Sequence, residues 1–264
     1  MSPYIGAIYR YRGFILGSVK REFAQRYRNS MLGGAWLVLQ PLAQILVFTV
    51  VFSQVMQARI PGLGGTFSYS IFLCAGMFTW GLFAEIVSRS QTVFLDNANL
   101  LKKLNFPRIC LPGIVILSAC ANFAILFGLF TVFLVVTGEF PGWVFFALFP
   151  VLAVQILFSV GLGIILGVLN VFFRDVGQFF GILLQFWFWL TPIVYPVTAL
   201  PAWGAEAQRW NPMTPLIQAY QGILVSGTTP DWITLAPMAV AGTVLCILGL
   251  RLFRRRSGEI VDEI

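Results

Sequence analysis

The chain has 264 residues, 58% hydrophobic and 10% charged, with 26 Phe and a formal net charge of +7, and its mean hydropathy is +0.85. So few polar groups cannot cover a soluble globule, which places the chain in a bilayer, and its Lys and Arg are split among short segments between apolar runs, which excludes the single basic face that nucleic acid needs. The absence of His excludes most catalytic zinc sites and imidazole haem ligation, and Cys74, Cys110, Cys120 and Cys246 have neither metal nor redox spacing, so no metal site is expected.

The first 30 residues lack the apolar core of a cleavable signal and read instead as an amphipathic helix in the headgroup layer. From Phe14 to Tyr27, Ile15, Val19, Phe23 and Tyr27 recur at steps of four, while Lys20, Arg21, Arg26 and Arg28 occupy other faces. Glu22 is placed to pair with Arg26 one turn on. Two roles stay open for this helix, a surface anchor or a grip on a lipid-linked substrate.

Six spans are predicted at roughly 31–56, 68–90, 109–137, 142–170, 176–197 and 232–253, each long enough to cross about 30 Å of hydrocarbon. With both termini in the cytoplasm, only Arg59 and Arg209 of the 17 Lys and Arg fall outside, the asymmetry that sets orientation. Gly33 and Gly34 allow the first span to bend or pack closely, and Gly161, Gly163 and Gly167 allow the same in the fourth. Gln40, Pro41, Gln44, Glu85, Asn122 and Gln155 interrupt the spans, and polar groups at that depth face protein or water. Arg89 lies four residues after Glu85, the spacing of a helical ion pair; a proton relay is the other reading.

Between the second and third spans, FLDNANLLKKLNFPR (Phe94 to Arg108) is a short polar interruption. Asp96 or Asn99 can cap a helix start, Leu100, Leu101 and Leu104 give about two turns one greasy side, and Pro107 stops the helix. Too short to cross a bilayer, it lies along the surface, either as a lever presented to a cytoplasmic partner or as an ordinary basic loop. The fourth span ends in LNVFFRDV, whose Arg174 and Asp175 form a second inner turn that can reach headgroups, each other or the same partner.

The fifth span carries Phe186, Trp187, Phe188 and Trp189 in succession. Four adjacent rings point all round a helix, so at least one faces inward, where a ring face can stack on sugar C–H surfaces; an interfacial aromatic belt accounts for others. Pro192, Pro196, Pro201, Pro212, Pro215 and Pro230 then rule out one continuous helix. Leu216 to Val225 is apolar but too short to cross, which predicts a re-entrant hairpin dipping in from the outer side and lining or plugging a pathway.

The order of these elements, with NANLLKKLNFPR, NVFFRDV and WNPMTPLIQAYQ at matching positions, resembles the permease subunit of bacterial polysaccharide ABC exporters, which serve O-antigen, capsule and teichoic-acid export, over essentially the whole chain. The resemblance implies an all-α integral membrane protein with an interface helix and six transmembrane helices, the membrane part of a homodimer with two separate P-loop ATPase subunits that hold ATP and Mg. It implies an undecaprenyl-diphosphate-linked glycan moving from cytoplasm to periplasm across the bacterial inner membrane. Residues 1–30 are then the cytoplasmic helix, 31–253 the membrane domain and 254–264 a cytoplasmic tail. Asn97 to Phe106 becomes the coupling helix, with Asn97, Leu100, Leu101, Lys102, Lys103, Leu104 and Phe106 at the ATPase, and Phe14 to Arg28 lies near the lipid diphosphate. The periplasmic gate is expected at Pro212 to Val225, with Tyr195, Trp210 and Tyr220 joining the four rings on the glycan path. One departure is Gln221, where a basic residue is expected.

The residues agree that no motor lies in this chain: no Gly-Lys dipeptide occurs, so there is no phosphate-cradling GxxxxGK[ST] loop. Two alternatives remain at this stage. A lipid-carrier transferase would want clustered acids, whereas the ten acids here are scattered. An exporter of the same architecture for a drug, haem or small lipid would favour a narrow, dry cavity.

Overall fold

The computed structural model describes residues 6, 9–28, 31–51, 67–103 and 107–263, and among these the chain is helical with no strands. The elements are α1 (Arg12–Tyr27), α2 (Trp36–Phe48), α3 (Ser68–Asp96), α4 (Ala98–Lys103), α5 (Cys110–Thr137), α6 (Leu148–Phe172), α7 (Asp175–Leu190), α8 (Ala202–Gln208), α9 (Met213–Gln221), α10 (Trp232–Arg256) and α11 (Ile260–Glu263). Among the described residues, five stretches are long and apolar enough to cross a membrane: Gly33–Val51, Ser68–Asp96, Cys110–Thr137, Gly142–Phe172 and Trp232–Arg256.

The expected span at 176–197 is shorter than its sequence suggested. Helix α7 stops at Leu190, giving 16 residues, below the roughly 20 that a span needs. The cause is Pro192: the residue before a proline is pushed out of the helical region, and Thr191 is extended (φ −96°, ψ 139°). The first expected span is described only to Val51, and its residues 52–56 lie outside the described residues. Gly33, in the left-handed region at φ 49°, opens that span with a 3₁₀ turn, Gly33–Ala35. Among the described residues nothing lies within 4 Å of the place where a side chain would start at Gly33 or Gly34.

Helix α3 is the central column. Its 29 residues extend about 43 Å at 1.5 Å per residue, longer than the hydrocarbon layer. Its apolar side chains Ile71, Cys74, Ala75, Phe78, Phe83 and Ile86 are at most 3% exposed. Helix α6 lies between α3 and α10, and its glycines make that possible on two sides. A Cβ at Gly161 would stand 2.6 Å from the Cys246 backbone nitrogen on α10, and one at Gly167 would stand 2.4 Å from the Ser90 carbonyl oxygen on α3. Gly163 also faces Ser90, with 2.8 Å to its Cβ. The sequence expectation of close packing at these three positions holds because only a missing Cβ lets two helix backbones approach this far.

Of the deep polar residues, Glu85, Asn122 and Gln155 turn toward protein, whereas Gln40 is exposed. Gln155 is fully buried and donates through Nε2 to the Thr79 carbonyl at 2.7 Å, while its Oε1 has no partner. An interhelical hydrogen bond in a membrane protein is worth only about 0.6 kcal/mol on average, and the orphan oxygen costs part of that. Gln155→Met, which keeps the volume and removes both polar atoms, is therefore expected to change stability by less than about 1 kcal/mol, readable as a near-constant thermal midpoint in detergent. A loss well above that figure would show that Gln155 is held by more than Thr79.

At the end of the bundle where α3 meets α4, α10 continues through Arg254, Arg255 and Arg256 before the chain folds back as α11. Ile260 of α11 is fully buried in a second apolar cluster with Val93, Phe94, Leu101, Ile109 and Phe253. Residues 254–264 were expected as a tail; their described part is packed against the membrane domain, because Ile260 supplies one apolar anchor for α4 and α6 to cover.

Candidate functional site

The candidate residues fall at two ends of the bundle. At the end marked by Arg89 and Asp96, α3 gives way to α4 with Asn97 as the single residue between them (φ −109°, ψ 21°). The break is at Asn97, where the sequence suggested a cap from Asp96 or Asn99. The Asn97 carbonyl accepts from the Leu100 and Leu101 amides, both at 3.0 Å, and its Nδ2 donates back to the Val93 carbonyl at 2.8 Å. Helix α4 is thus stapled to the end of α3.

The two faces of α4 differ from the sequence picture of leucines presented outward. Leu101 is 8% exposed and belongs to the cluster with Phe94, Phe253 and Ile260, and Leu100 packs beside it. Asp96, Asn99 and Lys102 are exposed, so the outward surface at steps of three is polar. Asp96 and Asn99 were missed as surface candidates; their three-residue spacing with Lys102 was the available signal. The Lys103 side chain, Leu104 and Phe106 lie outside the described residues.

Arg174 and Asp175 are exposed at the start of α7, with the Asp175 carboxylate in the first turn, where the helix dipole favours it. Their turn is fixed to α3 by buried Asn170, whose Nδ2 donates to the Gln91 carbonyl at 3.0 Å and whose Oδ1 accepts from the Gly177 amide at 2.8 Å. The α4 face and the Arg174 turn therefore share one end of one helix.

Helix α1 rests on α5 through its apolar side. Ile15 and Val19 are buried, and Phe23 is half-buried. Lys20, Arg21, Arg26 and Arg28 are exposed, and Arg21 donates to the Ser18 hydroxyl at 2.9 Å. Glu22 does not pair with Arg26 as the spacing suggested. Its Oε1 accepts from Arg89 Nη2 at 2.6 Å and its Oε2 from the Ser118 hydroxyl at 2.8 Å. Tertiary proximity wins because a partner on α3 sits in a less watery place than one on the exposed face of α1. The expected Glu85–Arg89 pair does form, at 3.2 Å, and Asn122 Nδ2 donates to Glu85 Oε2 at 3.1 Å. Arg89 is thus shared by two carboxylates from two helices.

At the other end, the four rings divide evenly. Trp187 and Phe188 face the bundle against Trp80, at centroid distances of 6.0 and 5.8 Å, whereas Phe186 and Trp189 are exposed. Trp187 Nε1 donates to Asn211 Oδ1 at 2.8 Å, and Asn211 Nδ2 donates to the Thr191 hydroxyl at 3.0 Å, which ties the break before α9 to the end of α7. Trp80 and Asn211 were not singled out in the sequence. The Tyr195 hydroxyl donates to the Trp189 carbonyl at 2.9 Å. Trp210 is 87% exposed.

Tyr220 is sealed in the core, with its ring 6.5 Å from Phe127, and it borders an apolar cavity of about 280 Å³ between α5, α6 and α9. Gln221 is buried and its Nε2 reaches the Pro192 carbonyl at 3.3 Å and the Ile193 carbonyl at 3.4 Å. A neutral amide suits that place, since a charged side chain would be desolvated there. Along the exposed face of α7, Phe179, Ile182, Leu183, Phe186 and Leu190 line an apolar cleft of about 590 Å³ with Pro212 at its end. Among the described residues, no group of three or more His, Cys, Asp or Glu is placed to hold a metal ion.

Comparison with known proteins adds the family. Residues 15–225 match the ABC-2 type transporter family. The chain is 32% identical, over the full length of both, to the O-antigen export system permease protein RfbA of Myxococcus xanthus. It is 30% identical to the permease of the same description from Klebsiella pneumoniae, over 91% of this chain and 92% of that one. It is 24% identical to the polysialic acid transport protein KpsM of Escherichia coli, over 92% and 93% of the two chains.

Proposed function

The chain belongs to the ABC-2 type transporter family, and from that premise we propose that it is the membrane-spanning subunit of an ATP-driven exporter that moves a lipid-linked polysaccharide of the O-antigen type out of the cytoplasm. The observation that carries this reading is the end-to-end similarity to an O-antigen export permease. A capsule-type polymer is the second reading, favoured by the more distant similarity to a polysialic acid transport protein. The relatives named above are O-antigen and polysialic acid transport proteins, which favours this reading over a transferase or a drug or haem exporter.

In this reading the glycan is carried on undecaprenyl diphosphate, and the chain acts as a homodimer in the bacterial inner membrane with both termini in the cytoplasm. The apolar cleft along α7 supports a second copy there, since a helix seated in a concave surface of that kind packs against it more closely than lipid tails do. The sixth crossing is made by α7 together with the segment after Thr191, and α8 and α9 form the re-entrant hairpin of the periplasmic gate. The lack of a P-loop assigns ATP and Mg to two copies of a separate ATPase subunit. That subunit is contacted by Asn99 and Lys102 of α4 and by Asp96 at the end of α3, with Arg174 and Asp175 as a second point.

The test is a pull-down of the tagged chain from native membranes in mild detergent, with mass spectrometry of the bound proteins, beside surface-glycan analysis of the deletion strain. A stoichiometric P-loop ATPase and a near-complete loss of surface polysaccharide with lipid-linked glycan accumulating inside are expected. A chain that purifies alone, or a deletion strain with normal surface glycan, would overturn the proposal.

A further inference from the structure

Arg89 stands where three helices meet. Its Nη2 donates to Glu22 on α1 at 2.6 Å and its Nη1 to Glu85 on α3 at 3.2 Å. The second oxygen of each carboxylate has its own donor on α5, Ser118 for Glu22 at 2.8 Å and Asn122 for Glu85 at 3.1 Å. One guanidinium serving two carboxylates leaves the cluster with one negative charge in excess. The two bonds to Arg89 are also unequal in what their loss would strand. Glu85 lies in the same helix, is 21% exposed and depends on Arg89 for its only cationic partner among the described residues. Glu22 is 39% exposed; released from Arg89, it keeps Ser118 and meets water. Removing the Arg89–Glu22 bond therefore leaves no buried charge unpaired, and removing the Arg89–Glu85 bond would.

We infer that Arg89 is an anion-exchange residue: Glu22 holds it in the unloaded protein, and a phosphate of a phosphorylated lipid headgroup replaces Glu22 when substrate arrives. The inference deepens the proposed function and rests on its lipid-linked substrate. Three features support the exchange. The contact with Glu22 is made through a single carboxylate oxygen, whereas a guanidinium is satisfied better by the two oxygens of a phosphate in bidentate geometry. Glu22 belongs to the helix whose exposed Lys20, Arg21, Arg26 and Arg28 concentrate anions at that surface. Arg89 is 31% exposed, so the headgroup can reach it without opening the bundle.

The consequence is a link between the two ends of the transport cycle. Breaking the Arg89–Glu22 bond frees α1 from α3, and α3 continues through Asn97 into α4, the helix proposed to face the ATPase. Occupation by a phosphate then biases a two-state contact at the element next to the motor, which is what coupling between two sites requires.

The exchange differs from a purely mechanical tie in the sign of one variant. In a tie, Glu22→Gln and Arg89→Gln both loosen the same contact and impair transport alike. In an exchange, Glu22→Gln removes the competitor of the substrate phosphate and Arg89→Gln removes its receptor. The experiment uses the complex of the full chain with its co-purifying ATPase in nanodiscs, reading ATP hydrolysis against added polyprenyl diphosphate. Parallel arms use phosphatidylglycerol and inorganic pyrophosphate. Half-saturation is expected to fall about fivefold or more in Glu22→Gln, on the scale of ordinary coupling factors, and the response to vanish in Arg89→Gln. Arg89→Lys, which keeps the charge, is expected to retain a weakened response, which separates lost recognition from lost folding. Both Gln variants moving in the same direction, or neither moving, would overturn the exchange while leaving the function standing. An equal response to phosphatidylglycerol or to pyrophosphate would overturn it as a sensor of cargo. No response of the unaltered complex to polyprenyl diphosphate would sink the lipid-linked reading itself, and the exchange with it.

Discussion

Gly167→Leu is expected to yield essentially no folded protein, seen as loss of the monodisperse peak in detergent gel filtration. The added Cβ alone would stand 2.4 Å from the Ser90 carbonyl oxygen and 3.4 Å from the Phe94 ring, and the rest of the leucine has no free volume to enter. Ser90 lies within α3, about two turns before its end, and a carbonyl oxygen within a helix cannot step aside without breaking its own hydrogen bond. The helices must separate, and that separation would open the contact on which the whole bundle is built. Overpacking usually costs about 1–3 kcal/mol; two backbones forced apart at a central crossing exceed that. Gly161→Leu on the opposite side of α6 has the same outcome against Cys246, by the same reasoning. The control is Gly128→Ala on α5, where nothing lies within 4 Å of the new methyl and where a helical glycine replaced by alanine gains about 1 kcal/mol. Normal yield from Gly167→Leu, or a collapse with Gly128→Ala, would show that the α3–α6–α10 packing is not what holds the chain together.

Lys102→Glu is expected to abolish export and most ATPase co-purification while the chain itself stays folded. Lys102 is exposed, so its reversal is expected to fall within the roughly ±0.5 kcal/mol of ordinary surface changes. At an interface the same reversal sets like charges against each other or removes a pair, which costs several kcal/mol in association. The companion variant is Leu101→Asp, whose side chain is turned into the cluster of Val93, Phe94, Ile109, Phe253 and Ile260. It places a carboxylate among apolar groups, and its first effect is loss of stability of the chain itself, by several kcal/mol. A lowered thermal midpoint with Leu101→Asp and an unchanged one with Lys102→Glu, with both failing to recruit the ATPase, would separate packing from contact. Full recruitment by a stable Lys102→Glu chain would remove α4 as the docking element.

The contrast between those two variants shows how the candidate site divided between sequence and fold. That α4 exists was legible, because a polar interruption with a proline behind it can only be a short surface element. Its orientation was not: Leu100 and Leu101 looked like a face to be presented, yet an apolar residue beside a bundle is covered by whatever apolar surface is nearest, and that surface came from Phe253 and Ile260, some 150 positions away in the chain. The same holds for Glu22. A spacing of four made Arg26 its natural partner, and Arg89 took the place from another helix.

The amino-acid sequence by itself determined that this protein lives in a bilayer, roughly where its helices lie and which residues break them, because hydrophobic transfer and proline geometry act locally and need no partner. It also carried the family, through motifs spread over the whole chain. The tertiary structure alone decided which of four adjacent rings turn inward, that Tyr220 and Gln221 are sealed in the core, that α7 ends at Leu190, and that Arg89 is shared by Glu22 and Glu85. In helices that are apolar on every side, periodicity cannot point to an interior. What selects the inward face is the fit of one helix against another, and that fit is set by absent side chains such as those of Gly161 and Gly167, together with the few polar groups that must find each other across the bundle.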